Sequence, residues 1–253
     1  MMPPAEDFWP DVPFGHGVKI VAFDSNGLVA LDKPEGVLSH PNAPGEESRS
    51  LVIARYDEKE ERFEWPGAKG ALRRLWLINR LDSATSGLIL AARDGTLARE
   101  VRAQFQRRLV RKSYQAIVFG KPRHKTETWK NVLNVKKLGG QIRTIAGGGN
   151  LHAECVMTLV RSGSGAIRVS LVRLEPRTGR SHQLRVQCAK RGLPIVGDRT
   201  YGDFGANREF VKAGGPKRMF LHSLGIAFKY DFGGKEHEFS AVAPLPPEFK
   251  GLV

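Results

Sequence analysis

The sequence has few cysteines, a shortage of acidic residues and no long apolar segment. Its only two cysteines among 253 residues are Cys155 and Cys188, so at most one disulfide can form and a disulfide-rich secreted scaffold is excluded. No segment reaches the roughly 18 consecutive apolar residues of a membrane span, and the opening MMPPAEDFWPDVPFGHG does not resemble a signal peptide. We therefore expect a cytoplasmic protein with buried or spare thiols and no membrane partner.

Basic residues, by contrast, are abundant. Forty Lys and Arg against 26 Asp and Glu give a formal net charge of +14 and a pI near 10.1. Such an excess raises a positive potential over part of the surface and favours a polyanionic partner such as a nucleic acid. Charge dispersed over the surface without any such partner is the alternative that composition alone leaves open.

The chain reads as one domain preceded by a short arm. Residues 1–17 are rich in Pro and Gly without an apolar period, which predicts an arm laid over the domain or left loose. Residues 18–253 predict an α/β domain of the α+β type, with a single mixed, mostly antiparallel sheet and flanking helices and loops. The runs that predict strands are VKIVAFD, GLVALDK, RLWLINRLD, GLILAAR, KSYQAIVFG, QIRTIA, AECVMTLVR, AIRVSLVRLEP and FLHSLGIAFKY. The first two flank an Asn-Gly step that suits a tight hairpin.

Local signals also predict helices and loops. Residues 50–62 favour a helix whose acidic end is solvated, and Asp94 is placed to cap the next helix. Ser181 suits the cap of a short helix that ends at Gly192. The segment KPEGVLSHP is expected to be an exposed loop.

One polar loop carries the most chemical information. The sequence NRLDSATSG, residues 79–87, holds a single carboxylate, Asp82, between two β-rich segments. Such a loop can present Asp82 to a ligand. Taken alone, however, it is weak evidence, because an Asp in a turn usually bonds its own backbone.

Four further motifs accompany this loop in a fixed order. They are LDKPEGVLSHP, KSYQAIVFG, RTGRSHQLRVQCAKRGLPIVGDRTYG and RMFLHSLGIAF. The ordered set, which runs from about Val18 to the end, resembles the RluA-like pseudouridine synthases. The resemblance implies that family's catalytic fold and the isomerisation of selected uridines in RNA, without a cofactor or metal. This chain has Asn79 where the family usually has His, and Ser223 where it usually has Ala.

The resemblance also implies roles for individual residues. Asp82 matches the catalytic carboxylate of the family, and Arg80 matches the arginine that probes the RNA duplex. Tyr114 matches the tyrosine that stacks on the target uracil, and Leu221 an apolar wall of its pocket. Arg185 matches the arginine that pairs with the catalytic aspartate.

These roles are chemically consistent with the isomerisation. The bond from N1 to C1′ must break, the base must turn, and C5 must join C1′. A carboxylate at Asp82 either attacks C1′ as a nucleophile or removes the C2′ proton, and the sequence leaves both paths open. A guanidinium at Arg185 favours the ionised carboxylate, and the ring of Tyr114 offers the uracil a flat face. Because C1′ of a stacked nucleotide is inaccessible, the target uridine must be flipped out or unpaired.

Several cations are candidates for phosphate contacts that position RNA without reading its sequence. They are Lys33, Arg177, Arg180, Lys190 and Arg191. The expected partner is ribosomal or transfer RNA, bound by a monomer. The arm before Val18 is too short for the S4 RNA-binding domain of many relatives, so target choice is expected to come from loops of the catalytic domain.

Two other functions compete with this one. A hydrolytic glycosidase usually needs two carboxylates that flank the bond, and Glu154, Glu175 and Asp198 are scattered along the chain. A catalytically idle RNA-binding protein would be favoured by loss of the Asp, Tyr or Arg, and all three are present.

The histidines do not predict a metal site. His40, His182 and His222 are not spaced as ligands. His182 is expected to be a structural hydrogen-bond partner, and the GDRTYG segment around Asp198 is expected to form a turn that supports the site.

Overall fold

The structure is a computed structural model that describes residues 8–67, 70–138, 141–165 and 167–252. The strands are β1 (Lys19–Phe23), β2 (Leu28–Lys33), β3 (Arg55–Asp57), β4 (Arg62–Pro66), β5 (Leu72–Leu77), β6 (Ser86–Ala92), β7 (Arg111–Phe119), β8 (Thr126–Leu138), β9 (Gln141–Ala146), β10 (Leu151–Ser162), β11 (Val169–Pro176), β12 (Leu221–Phe232) and β13 (Lys235–Val242). The helices within the described residues are α1 (Gly95–Gln106), α2 (Gln183–Lys190), α3 (Phe204–Lys212) and α4 (Pro247–Lys250), with short 3-10 turns at Trp9–Asp11 and Glu47–Arg49. Among the described residues, strands outnumber helices and pair mostly antiparallel, which confirms the predicted α+β fold class.

The contacts divide the chain into two compact units. The first comprises residues 1–110 and 225–243, and the second residues 111–224 and 244–253. The sequence predicts instead an arm over residues 1–17 and a single domain over residues 18–253, and that division stays a prediction.

The central strands β2 and β6 of the first unit's sheet are buried on both faces. Its strands are paired antiparallel in the order β1, β2, β6, β5, β4, β3, and the part of β12 from Gly225 onward pairs with β13. Alternate residues point to opposite sides of a strand. Leu28 and Leu90 therefore pack in the cluster that contains α1, whereas Val29 and Ile89 pack in the cluster that contains Trp9.

Residues 8–17 belong to this second cluster rather than to a loose arm. Phe8, Trp9 and Val12 are buried, and Phe14 forms a β-bridge with Val52. Of the two alternatives for the arm, the structure shows the chain laid over the sheet from Phe8 onward. The apolar side chains have no regular spacing, because apart from the 3-10 turn at Trp9–Asp11 this segment is irregular.

Local turn chemistry agrees with the sequence in the first unit. The β1–β2 turn is closed by the Asp24 carboxylate, which accepts hydrogen bonds from the amides of Gly27 and Leu28, both at 3.0 Å. Gly27 has φ +93°, a conformation that glycine adopts without strain. Asp94 caps α1 through two hydrogen bonds of 2.8 Å from first-turn amides, as predicted.

The helix predicted over residues 50–62 is wrong. Leu51 and Val52 are buried in irregular chain, and β3 and β4 form a hairpin instead. The Asp57 carboxylate accepts hydrogen bonds from the amides of Lys59 and Glu60, both at 3.1 Å. This side-chain cap closes a turn at the acidic stretch, so the local carboxylate competes with helix formation.

The second unit contains the antiparallel ladder β7, β11, β10, β8, β9. Its main apolar cluster joins β7 and β11 to Phe210 of α3, Phe220 and Phe249. Gly192 follows α2 with φ +66°, as expected of a residue just past a helix end. The predicted Ser181 cap is wrong, since α2 begins after His182, which adopts a left-handed φ of +52° without a side-chain cap.

Candidate active site

The site residues predicted from the sequence are distributed over both units. Those in the first unit are Lys33, Arg80 and Asp82. Those in the second unit are Tyr114, Arg177, Arg180, Arg185 and Leu221. Asp82 and Arg185 belong to different units, and their pairing stays a prediction.

Asp82 lies in the loop between β5 and β6. Its side chain is partly exposed, and its backbone carbonyl accepts the amide hydrogen of Thr85 at 2.9 Å, which closes a turn. Before the aspartate, the side-chain oxygen of Asn79 accepts the amide hydrogen of Leu90 on β6 at 2.8 Å. Asn79 therefore holds the entry to the loop, although the family usually has His at this position.

Ser39 holds the residue just before the aspartate. Its hydroxyl donates to the carbonyl of Leu81 at 2.7 Å and accepts the amide hydrogen of Leu81 at 3.0 Å. Ser39 is buried, with 7% of its surface exposed. One hydroxyl thus bonds both backbone groups of Leu81 and holds the backbone next to Asp82 in place.

Lys33 holds the residue just after the aspartate. Its ammonium donates to the carbonyls of Pro34 at 2.8 Å, Val37 at 2.7 Å and Ser83 at 3.1 Å. The side chain has no exposed surface. This placement differs from the predicted phosphate contact, because a buried ammonium directed at backbone carbonyls does not reach an RNA backbone. The segment KPEGVLSHP is accordingly more buried than the exposed loop that the sequence suggested.

Arg80 projects from the same loop and is exposed. Its charge acts on the hydroxyl of Tyr56, whose ring stacks on His40 with centroids 4.7 Å apart and planes 9° from parallel. Burial raises the pKa of Tyr56 to about 12, and the charge of Glu61 adds to the rise. An aromatic surface formed by Tyr56 and His40 therefore lies within electrostatic range of Arg80, and it was not predicted from the sequence.

Arg185 forms a buried ion pair in the second unit. Its Nε donates to Oδ2 of Asp198 and its Nη2 donates to Oδ1, both at 2.7 Å. Burial alone would raise the pKa of Asp198, but the hydrogen bonds and charge of Arg185 outweigh it and hold that pKa below its usual value. The side chains are 8% and 1% exposed, so the pair fixes the guanidinium on α2 in one orientation. The GDRTYG turn thus supplies the carboxylate that orients Arg185.

Tyr201, from the same turn, completes this setting. The guanidinium carbon of Arg185 lies 5.1 Å from the centroid of its ring. The hydroxyl of Tyr201 is 2.8 Å from Nδ1 of His182 and accepts the amide hydrogen of Thr144 at 2.8 Å. His182 is therefore a structural hydrogen-bond partner, as predicted.

Tyr114 and Leu221 lie on adjoining strands. Tyr114 is on β7, partly exposed and opposite Leu174 of β11. Leu221 begins β12 and is 3% exposed. The preceding carbonyl, that of Phe220, accepts the amide hydrogen of Ile117 on β7 at 3.0 Å. The backbone therefore brings the predicted stacking ring and pocket wall onto adjoining strands of one unit.

The buried side-chain amide of Gln183 holds the loop before α2. The side chain of Gln183 accepts from the Thr178 hydroxyl at 2.7 Å and donates to the carbonyl of Glu154 at 3.1 Å. Arg177 lies on the surface, 2.7 Å from the Glu154 carboxylate, and Arg180 donates to a backbone carbonyl at 3.3 Å. Phosphate contacts by these two arginines stay a prediction.

Three further titratable groups, His222 and the two cysteines, are buried, and burial shifts their pKa values toward the neutral form. Burial, with the nearby charge of Arg218, lowers the pKa of His222 to about 4. Both cysteines are free and buried, as expected, and burial raises the pKa of Cys155 to about 12. In the described residues no group of three or more His, Cys, Asp or Glu is arranged to hold a metal ion. None of the helices described has the length and apolar character needed to cross a bilayer.

The RNA pseudouridylate synthase family model matches residues 27–190. The chain belongs to this family. The match contains Asp82, Tyr114 and Arg185, whereas Leu221 lies beyond it.

Full-length relatives of this pseudouridine synthase agree with the family match. The ribosomal large subunit pseudouridine synthase C of Vibrio vulnificus is 30% identical over 239 residues, which cover 92% of this chain and 68% of that protein. The RNA pseudouridine synthase YhcT of Bacillus subtilis is 28% identical over 240 residues, with 94% and 72% covered. The structure of human RNA pseudouridylate synthase domain containing 1 has a TM-score of 0.67 at 23% identity, covers 91% of this chain and 85% of its own, and shows the same fold. The protein is thus an isomerase that acts on RNA.

Proposed function

We propose that this pseudouridine synthase isomerises a uridine of structured ribosomal RNA, with Asp82 as the catalytic residue. The observation that carries the proposal is the fixation of the Asp82 loop from both sides. Ser39 binds both backbone groups of Leu81, and Lys33 binds the carbonyl of Ser83. Catalytic groups act efficiently only when held in the reacting geometry. The buried ammonium of Lys33 and the buried hydroxyl of Ser39 both bond to this loop, as expected if Asp82 must be held in a reacting geometry.

The proposed reaction uses groups of this chain alone. The uridine is flipped out of its stack, since C1′ is inaccessible in a helix. The Asp82 carboxylate either attacks C1′ or removes the C2′ proton, and the bond from N1 to C1′ breaks. The uracil turns against the ring of Tyr114 and C5 joins C1′. On the first path this breaks the bond between C1′ and Asp82, and on the second path Asp82 returns the proton to C2′. The C5 proton then leaves and N1 gains a proton. Atoms and electrons balance without a cofactor.

Supporting contacts follow from the charge and the named relatives. Arg80, which is exposed in the Asp82 loop, is proposed to fill the vacated stack. Arg177 and Arg180 contact phosphates, which position RNA without reading its sequence. Ribosomal rather than transfer RNA is proposed because the Vibrio relative is named for the large ribosomal subunit. The enzyme is proposed to work as a monomer in the cytoplasm.

Mapping of pseudouridine in RNA from a deletion strain tests this function. Chemical derivatisation followed by primer extension should show one ribosomal pseudouridine lost on deletion. The wild-type gene should restore it, and a gene carrying Asp82→Asn should not. Loss of a transfer RNA pseudouridine with ribosomal RNA unchanged would overturn the substrate, and restoration by Asp82→Asn would overturn the catalytic residue.

A further inference from the structure

A basic cavity lies in the second unit, beside the turn that carries Asp198. It measures about 440 Å³ and is formed by the start of that turn, one side of α3 and residues 216–218. A volume of this size is within the range of small-ligand sites. None of the residues predicted from the sequence to bind RNA lines it.

The described lining of the cavity is cationic and contains no carboxylate. Its charged residues are Arg199, Arg208, Lys212, Lys217 and Arg218. Lys212 pairs with Glu209 at 2.9 Å and Arg218 with Glu248 at 3.4 Å, so these two charges are partly balanced.

The other three cations give the cavity a net positive charge. Arg199, Arg208 and Lys217 are exposed, and in the described part of the chain no carboxylate lies within ion-pair distance of them. A cavity with this lining attracts an anion.

An exposed aromatic ring accompanies the cations. Phe204, on the first turn of α3, lines the cavity with 56% of its surface exposed. The floor is rigid by comparison, since Phe210 is 5% exposed and packs edge-on against Phe119 and Phe220. An exposed ring among unbalanced cations is the arrangement by which proteins hold single-stranded RNA, with bases stacked on the ring and phosphates on the cations.

The side-chain amide of Asn207 links the cavity to the turn whose Asp198 orients Arg185. The side chain of Asn207 on α3 accepts the amide hydrogen of Gly197 at 2.7 Å and donates to the carbonyl of Asp198 at 3.1 Å. The carboxylate of Asp198 in turn holds Arg185. A ligand in the cavity therefore rests on the same turn that orients Arg185.

We propose that this cavity is an RNA subsite for an unpaired nucleotide other than the reacting uridine. The base stacks on Phe204, and the flanking phosphates contact Arg199, Arg208 and Lys217. The inference rests on the proposed function, because it takes the substrate RNA as the ligand. The site strengthens binding and defines which RNA is held, while the isomerisation itself occurs at Asp82.

Two variants and one matched control test the subsite. In the first variant, Arg208→Gln with Lys217→Gln, Arg199 stays in place because it adjoins Asp198. The control, Lys19→Gln with Lys235→Gln, removes the same charge from exposed positions of the first unit. Affinity of full-length enzyme for a ribosomal RNA fragment is measured over a range of salt. Loss of two phosphate contacts should reduce the slope of log affinity against log salt by about 1.4, at roughly 0.7 per single-stranded contact. The control should keep the slope of the wild type.

The second variant, Phe204→Ala, should weaken RNA binding between about 5-fold and 150-fold, the range of one base stacked on one ring. Phe204→Tyr should restore it. At saturating RNA, both the charge variant and Phe204→Ala should release tritium from 5-tritiated uridine at the wild-type rate, with only KM raised.

Wild-type affinity and salt slope in both variants, or equal losses in the control, would overturn the subsite even where the wild type isomerises RNA. Failure of the wild type to release tritium would instead overturn the proposed function, and binding of the fragment would still report on the subsite.

Discussion

The buried ion pair between Arg185 and Asp198 leads to a quantitative prediction. Asp198→Asn keeps the size of the side chain and removes its charge. Oδ1 also accepts the amides of Thr200 and Tyr201, at 2.8 and 3.0 Å, so the amide oxygen of Asn should keep that position. Its NH₂ group then faces the Nε hydrogen of Arg185, and two donors oppose each other.

The magnitude follows from the burial of the pair. Breaking a buried pair by removing one partner costs about 3 to 5 kcal/mol, because Arg185 loses the carboxylate whose attraction offsets much of the cost of burying its charge. In a protein of this size each kcal/mol shifts the melting temperature by about 2 to 4 °C, so we expect a fall of roughly 6 to 20 °C. The pKa of Asp198 is lowered on folding, so its contribution to stability is present above the unfolded value near 3.8 and is lost as pH falls below it. The effect of the substitution should therefore be undiminished at neutral pH.

Thermal unfolding and single-turnover kinetics measure the two consequences. Well below the transition the folded variant should still bind RNA, but its turnover should fall by about 10²-fold, since a displaced Arg185 no longer meets the reacting geometry. Asp203→Asn is the matched control, because Asp203 caps α3 through the amide of Ala206 at 2.9 Å and Asn caps equally well. An Asp198→Asn variant that melts and turns over like the Asp203→Asn control would refute the reasoning.

Three other substitutions test separate parts of the account. His222 is neutral in the folded protein down to pH about 4, so the unfolded chain binds more protons between about pH 6.5 and 4, and the free energy of unfolding should fall by roughly 3 kcal/mol as pH drops through that window. His222→Gln should remove this pH dependence. If urea unfolding gave the same dependence of the free energy on pH for the variant as for the wild type, the assignment to His222 would be wrong. Ser39→Ala removes the hydroxyl that bonds both backbone groups of Leu81, so the free energy of unfolding in urea should fall by about 1 to 3 kcal/mol. The main kinetic effect should be a lower kcat rather than a changed KM. An unchanged kcat would show that Asp82 does not depend on this contact. Tyr114→Leu should weaken turnover by the loss of stacking, worth about 1 to 3 kcal/mol, whereas Tyr114→Phe keeps the ring and separates stacking from any part of the hydroxyl in moving the C5 proton; a fully active Leu variant would remove Tyr114 from the site.

Much of the fold was predictable because local chemistry and tertiary packing agree. The hairpin at Gly27 and the helix that follows Asp94 form through contacts within a few residues, which a sequence displays directly. Prediction failed where a side chain competes with the backbone over a short distance. The acidic stretch after Asp57 favours a helix by composition, but the Asp57 carboxylate closes a turn there.

Motifs in the sequence indicate the candidate site, but they do not indicate the contacts that hold its loops in place. The motif around Asp82 is visible in the sequence, whereas Ser39 is 42 residues from the backbone that it holds. Lys33 appeared to be a surface charge because Lys is almost never fully buried, and only the fold brings three carbonyls to its ammonium. The carboxylate of Asp198 stands 13 residues after Arg185, and no periodicity links the two.

Tritium release by Asp82→Asn tests the central claim most directly. The variant keeps the shape of the side chain and removes its charge and nucleophilicity. With saturating RNA labelled at uridine C5, release should be undetectable while affinity for RNA stays within about 3-fold of the wild type, a difference below 1 kcal/mol. Asp57→Asn, in a turn of the same unit, should release tritium at the wild-type rate. Release by Asp82→Asn within about 10-fold of the wild type, a loss of only about 1.4 kcal/mol of transition-state stabilisation, would contradict the account.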